Sequence, residues 1–285
     1  MLLTQTVRAV GRPAIAHTSR WWRRTLLNKA VDATGLVNGR RLMVLAPHPD
    51  DETLGCGAVI ARARAAGAHV VVVVVTDGRH SSPSTIVEPQ LLARMRTAEL
   101  YLACRILGVS DENVIQLDHE DGTLSGCIPQ LADELAMLLA EQRPETVFVT
   151  CAEDTHSDHQ ALHQALRLAL RRSAVPAGVG RSSLPAVLAY PVWAWMSGPW
   201  FLEADRERWL RLLAWAMRQL CATGWVAVRC GEHLQVKMAA IEAYVSQTTN
   251  LIGEPSWSYL PAESVSLFHQ PSEIFLRVPA GGGPP

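Results

Sequence analysis

From residue 40 onward, short apolar runs alternate with longer amphipathic stretches. Residues 41–46 (Arg-Leu-Met-Val-Leu-Ala) form a compact apolar run that reads as a strand buried on both faces. Residues 53–66 read as a helix stopped by Gly67, and 69–76 as a valine-rich strand. A polar loop over 77–89 precedes a helix over 90–107, stopped by Gly108, and a strand over 113–117. The acidic loop His119-Glu120-Asp121-Gly122 follows, then a helix over 129–142, a strand over 146–151 and a helix over 158–172. Beyond Ser173 the pattern loosens. It predicts a Gly/Ser loop over 176–184, a strand over 186–193, helices over 203–221 and 232–248, and a last strand over 274–278.

Strands separated by long helices need crossover connections and so a parallel sheet. The expected fold is α/β: a Rossmann-like, mostly parallel sheet flanked by helices, in a single domain with C-terminal helical and strand additions. That domain is expected over 37–279, after a basic N-terminal arm over 1–36 and before a disordered Gly/Pro tail over 280–285.

With 285 residues, 48% hydrophobic and 19% charged, the chain can bury a large core, which excludes disorder as its main description. Lys and Arg total 26 against 27 Asp and Glu, a formal net charge of -1, which argues against a nucleic-acid partner. The six cysteines show no C-x-x-C pair and read as reduced, mostly buried thiols of a cytoplasmic protein. No apolar run approaches the ~18–20 residues of a spanning helix. Arg23-Arg24-Thr25-Leu26-Leu27 is reminiscent of a twin-arginine signal, but no apolar region or cleavage site follows, so export is not expected. The basic arm reads first as a frayed segment or one that orders on docking, and second, through Trp21, Trp22 and its arginines, as a weak, peripheral membrane-surface contact. Self-association is left open.

Ten histidines, many beside carboxylates, change this picture. His48-Pro49-Asp50-Asp51-Glu52 directly follows the first strand, and His156-Ser157-Asp158-His159 comes just after the fourth. Parallel sheets bind ligands outside the carboxyl ends of their strands, so the two motifs face one another if those strands are neighbours. Imidazole and carboxylate suit Zn²⁺, while Fe²⁺ or another divalent ion is also accepted. One His and one Asp of the first motif with one His of the second meet the usual count of about three protein ligands. Adjacent Asp50 and Asp51 cannot present their carboxylates identically to one ion, so one is expected to bind metal and the other to reach water. As bland alternatives, Asp51 and Glu52 could be helix N-terminal charges, and His156 and His159 surface residues. His159 and His163 share an i, i+4 spacing, but Gln160 stands where a metalloprotease glutamate would, so His163 reads as a partly buried support.

These motifs resemble the LmbE-like, or PIG-L, family of zinc-dependent deacetylases acting on N-acetylglucosamine-type sugars. Thr76-Asp77-Gly78, Arg96-Thr97-Ala98-Glu99, Asp121-Gly122 and the stretch from Lys237 to Gln247 extend the resemblance over about residues 40–250. It implies that His48, Asp51 and His159 bind zinc, that Asp50 is the general base, and that His156 stabilises the oxyanion or protonates the leaving amine. It further implies that Arg96 and Asp121 contact sugar hydroxyls; Asp158, beside the ligands in sequence, reads with His163 as a support. Two positions depart from the family. Ser157 stands where proline is more usual, and Asp154 occupies a position that is tyrosine in the mycothiol branch. The expected activity is removal of an N-acetyl group from a small N-acetylated sugar or glycoconjugate. The alternatives are an amidase acting on a larger N-acyl group and a noncatalytic sugar-binding module. Trp193, Trp195, Trp200, Trp209 and Trp215 crowd one stretch and read first as packing, then as a sugar-stacking rim or a membrane-facing helix.

Overall fold

The apolar runs become the strands of one eight-stranded sheet. In the computed structural model these are β1 (Val31–Asp32), β2 (Arg41–Ala46), β3 (His69–Thr76), β4 (Val114–His119), β5 (Thr146–Thr150), β6 (Ala186–Tyr190), β7 (Trp225–Arg229) and β8 (Ser272–Val278). The structure describes residues 21–173, 184–196 and 223–279, with isolated positions between 210 and 219. Residues 1–20 of the expected arm, nearly all of the 176–184 loop, most of the 203–221 helix with Trp200, Trp209 and Trp215, and the 280–285 tail lie outside the described residues. Among the described residues no helix is long and apolar enough to cross a membrane.

The sheet order is β1-β7-β8-β6-β5-β2-β3-β4. Every pairing is parallel except those of β8 with β6 and β7. The chain therefore winds outward from β2 through β3 to β4, then returns to lay β5 against the other side of β2. The carboxyl ends of β2 and β5 form the point where the winding reverses, and loops leaving them diverge to open a crevice. β2, β3 and β5 are buried along nearly their whole length, as strands covered on both faces must be.

The covering helices are α1 (21–29), α2 (Asp51–Ala65), α3 (Pro89–Ile106), α4 (Ile128–Gln142), α5 (Ser157–Ser173), α6 (Trp193–Met196), α7 (His233–Glu242), α8 (Val245–Thr248) and α9 (Ala262–Val265). They fall into two groups: α7 packs on α2 and α3, whereas α4 packs on α5. α2 is buried almost all round and lies unusually close to the sheet. A Cβ on Gly55 would fall 2.2 Å from the ring of Tyr190, whose hydroxyl donates to the carbonyl of Leu45 at 2.8 Å. Lys237 of α7 crosses to Glu273 of β8 (2.8 Å) and to the carbonyl of Leu54 (2.7 Å), while Glu273 accepts from the backbone of Ala58 and Val59 in α2.

The structure departs from the sequence pattern in several places. The helix expected over 232–248 breaks at Tyr244 into α7 and α8, because Tyr244 turns its hydroxyl inward to the Glu52 carboxylate. The strand expected to reach residue 193 ends at Tyr190, and Trp193 opens the short α6 instead. β7 was not anticipated; it pairs with both β1 and β8. Residues 21–36 of the expected arm are integrated here. Trp22 and Leu26 are buried in the core, and Arg23 donates to the carbonyls of Leu267 (2.6 Å) and Ser272 (3.1 Å). Trp21 remains exposed. Five cysteines are free thiols, four of them buried, while Cys221 is outside the described residues.

Candidate metal centre and active-site cavity

Both motifs stand at the switch point. His48 to Asp50 form the turn after β2, and Asp51 opens α2; residues 151–156 form the turn after β5, and α5 carries Asp158 and His159. Because β2 and β5 pair directly, the two turns face one another. Asp51 Oδ2 lies 3.2 Å from His48 Nδ1 and 3.2 Å from His159 Nε2. One donor atom from each of His48, His156 and His159 lies within a 4.8 Å span, and so do donors from His48, Asp121 and Asp158. The expected ligand set, His48, Asp51 and His159, thus sits inside a larger imidazole–carboxylate cluster that can hold a divalent ion.

The donor chemistry of His159 fits such an ion. Its Nδ1 is engaged by Asp154 Oδ2 at 2.9 Å, whereas its buried Nε2, 3.2 Å from an Asp51 oxygen, makes no hydrogen bond among the described residues. An imidazole anchored through one nitrogen by a carboxylate, with the other aimed into a cluster of carboxylates, is the usual arrangement of a ligating histidine. Burial disfavours charge on both imidazoles, yet neighbouring carboxylates outweigh it. His159 is raised to about 9 by Asp51 and Asp154, and His48 well above the ordinary range by Asp121, Asp158 and Asp51. Asp51 is buried too, but the flanking imidazoles hold its carboxyl well below the usual range. The site therefore presents a negative potential that a cation would relieve.

Asp50 differs from Asp51. Burial pushes its carboxyl up to about 8, against the pull of Arg96. Its backbone is strained, with φ 122°, a region that favours glycine. The strain is held by Glu52, whose Oε2 accepts the Asp50 amide at 3.0 Å, and by Arg96, which donates to the Pro49 carbonyl at 2.5 Å and lies 3.2 Å from Asp50 Oδ2. Arg96 is itself almost fully buried, beneath Gly78 at φ 67°, where a Cβ would fall 2.3 Å from its guanidinium.

His156 faces the cluster with ring centroids 4.6 Å from His48 and 5.3 Å from His159. The Asp158 amide donates to its Nδ1 at 3.2 Å, which puts the proton of the neutral ring on Nε2. Burial and repulsion from the other two imidazoles lower its pKa. Asp158 meets His48 Nε2 at 3.2 Å and also accepts the amides of Gly122 (2.7 Å) and Leu124 (3.2 Å), fixing the loop after β4. That loop delivers Asp121, with Oδ1 3.2 Å from His48 Nε2. Burial would raise Asp121, but His48 holds it down at about 2. His163 is buried and engages the Thr150 carbonyl at 2.9 Å, while the Thr150 hydroxyl donates to the carbonyl of His159. It lies behind the cluster rather than in it.

A cavity of about 330 Å³ opens over these groups, with His48, Asp50, Asp51, Arg96, Asp121 and His156 in its lining. Its walls come from elsewhere in the chain. Trp193 stacks on His156 at a centroid distance of 6.1 Å, and Gln247 and Tyr259 also line the cavity. Glu254 clamps the two wall loops together by accepting from Ser84 Oγ (2.5 Å) and the Thr85 amide (2.8 Å). Neither Tyr259 nor Glu254 belongs to a sequence motif. Asp154, noted only as a departure from the family, proves to be the partner of His159; its five-residue offset from that histidine was the available signal.

Fold and site together define a Rossmann-like α/β protein with an imidazole–carboxylate cluster that can hold a metal ion at the switch point of its sheet. Residues 43–170 match the family model described as PIG-L: GlcNAc-PI de-N-acetylase. The chain is 31% identical over 169 residues to the 1D-myo-inositol 2-acetamido-2-deoxy-alpha-D-glucopyranoside deacetylase of Thermobifida fusca, a match covering 50% of this chain and 58% of that relative. It thus spans a little over half the length of the curated relative. The N,N'-diacetylchitobiose deacetylase of Pyrococcus horikoshii shares the fold at 20% identity, with a TM-score of 0.61 over 85% of this chain and 84% of that one. A conserved protein of Thermus thermophilus superposes at 27% identity and TM-score 0.53, over 74% and 80% of the two chains.

Proposed function

We propose that this protein is a zinc-dependent N-deacetylase that hydrolyses the acetamido group of an N-acetylglucosamine-type sugar or glycoconjugate. The observation that carries this reading is the division of labour between adjacent carboxylates: Asp51 lies between two imidazoles, while Asp50 is held apart from them at the cavity floor by Arg96 and Glu52. His48, Asp51 and His159 would hold the ion, which supplies Lewis acidity toward an amide carbonyl and acidifies water. Asp50, with a pKa raised by burial, takes the proton of the attacking water on its carboxylate. His156, with its proton on Nε2, donates to the developing oxyanion or to the departing amine. Asp121 and Arg96 line the cavity and are assigned to sugar hydroxyls. About 330 Å³ suits one sugar ring with its acetamido group, and Trp193 offers an aromatic face to it.

Acetate release from free, nucleotide-linked and lipid-linked N-acetyl sugars, with Zn²⁺ added and with chelator, tests this reading. Turnover of at least one substrate that is abolished by chelator and restored by Zn²⁺ is expected. Silence across the panel in zinc-loaded protein would overturn it. Turnover only of longer N-acyl analogues would identify an amidase instead.

A further inference from the structure

Asp154 is fully buried and serves two parts of the site at once. Its Oδ2 accepts from His159 Nδ1 (2.9 Å) and from the amide of Val192 (3.1 Å), and its Oδ1 accepts from the amide of Ala194 (2.8 Å). Its own backbone is anchored, the amide to the Cys151 carbonyl and the carbonyl to Gln160 Nε2 (2.7 Å). Between the two amides it holds stands Trp193, which stacks on His156 and walls the cavity. We propose that Asp154 is a positioning residue that couples the ligating nitrogen of His159 to the cavity wall bearing Trp193, so that metal loading and the order of that wall change together. The inference rests on the metal-centre reading above.

The chemistry requires a carboxylate. A group that only accepts forces the proton of neutral His159 onto Nδ1 and leaves the Nε2 lone pair for an ion. Three donors converge on Asp154, and an amide in its place would turn its NH₂ toward at least one of them. The shorter backbone bond, from Ala194, keeps the amide oxygen of an asparagine on that side. The NH₂ then opposes the Val192 amide and donates to His159 Nδ1, which moves the ring proton to Nε2. The wrong nitrogen is protonated although the shape is unchanged.

The test compares wild-type protein with Asp154→Asn by Zn²⁺ titration against a chromophoric chelator and by amide hydrogen exchange with and without Zn²⁺. In wild-type protein, Zn²⁺ is expected to slow exchange at Val192 and Ala194. In Asp154→Asn, zinc affinity should fall about 10–100-fold, and exchange should quicken at Val192 while no longer responding to Zn²⁺. A merely structural role would instead quicken exchange across the sheet and leave the zinc affinity of the folded fraction unchanged; that result overturns the proposal. So does a wild-type protein that binds Zn²⁺ with no change at Val192 and Ala194, a measurement that stands even if the variant does not fold. Wild-type protein that binds no Zn²⁺ would overturn the metal-centre reading and this proposal together.

Discussion

At the scale of single residues, the site turns on a backbone that separates two consecutive carboxylates. Side chains of neighbours at a strand-to-helix turn diverge, and the strained φ of Asp50 widens that divergence, so that Asp51 faces His48 and His159 while Asp50 faces Arg96. Removing the Asp50 charge should therefore leave the ligands in place and remove the base. Asp50→Asn is expected to retain a full equivalent of Zn²⁺ and to lose about 10²–10⁴ in kcat. Metal analysis and steady-state kinetics check this. If Asp50→Asn lost the ion while Asp51→Asn kept it, the two roles would be reversed. His48, Asp51, His156 and His159 were readable as a group because each sits in a motif at a strand end. Trp193 was not, because it meets His156 from a distant stretch of the chain, and Asp154 offered only its short offset from His159, with its bonds to Val192 and Ala194 spanning 38 and 40 residues.

At the scale of elements, the sequence pattern located β2, β3, β4, β5 and their helices to within two residues or so, since each strand is a short apolar run and each helix ends at a glycine or before a polar turn. It failed where long-range pairing decides. β7 is five residues held by β1 and β8, and Tyr244 ends α7 for the sake of a bond to Glu52 in a distant helix. The tight seat of α2 is equally illegible in one dimension, yet it sets the height of Asp50 and Asp51 over the sheet. Gly55→Ala tests it. In an exposed helix this change would stabilise by about 1 kcal/mol. Here the added methyl meets the Tyr190 ring, which cannot retreat because it is buried and bonded to Leu45. Overpacking should win and destabilise by about 1–3 kcal/mol, read by denaturant unfolding. A stabilised variant would show that α2 can ride outward without cost.

At the scale of the whole molecule, the centre joins two turns that belong to distant parts of the chain but to neighbouring strands. β2 and β5 are held together by backbone pairing through Phe148, below the level of the motifs, so the turns above them are tied only by side chains. In the metal-free protein those ties set carboxylates against buried imidazoles, whose protons offset the negative charge. An ion ligated from both turns would replace those protons with one cross-link. Because His48, Asp51 and His159 converge only in the folded chain, an ion held by them would bind that state alone and stabilise it by mass action. At Zn²⁺ one hundred times its dissociation constant the gain is about 2.7 kcal/mol. At about 2–4 °C per kcal/mol for chains approaching this size, the unfolding midpoint should rise by about 5–10 °C. Chelator should reverse the rise, and His159→Ala should abolish the response to Zn²⁺, wherever the midpoint of its own metal-free form lies. Differential scanning fluorimetry at several Zn²⁺ concentrations makes the measurement. A midpoint indifferent to both Zn²⁺ and chelator would mean that the two turns are closed by protein contacts alone.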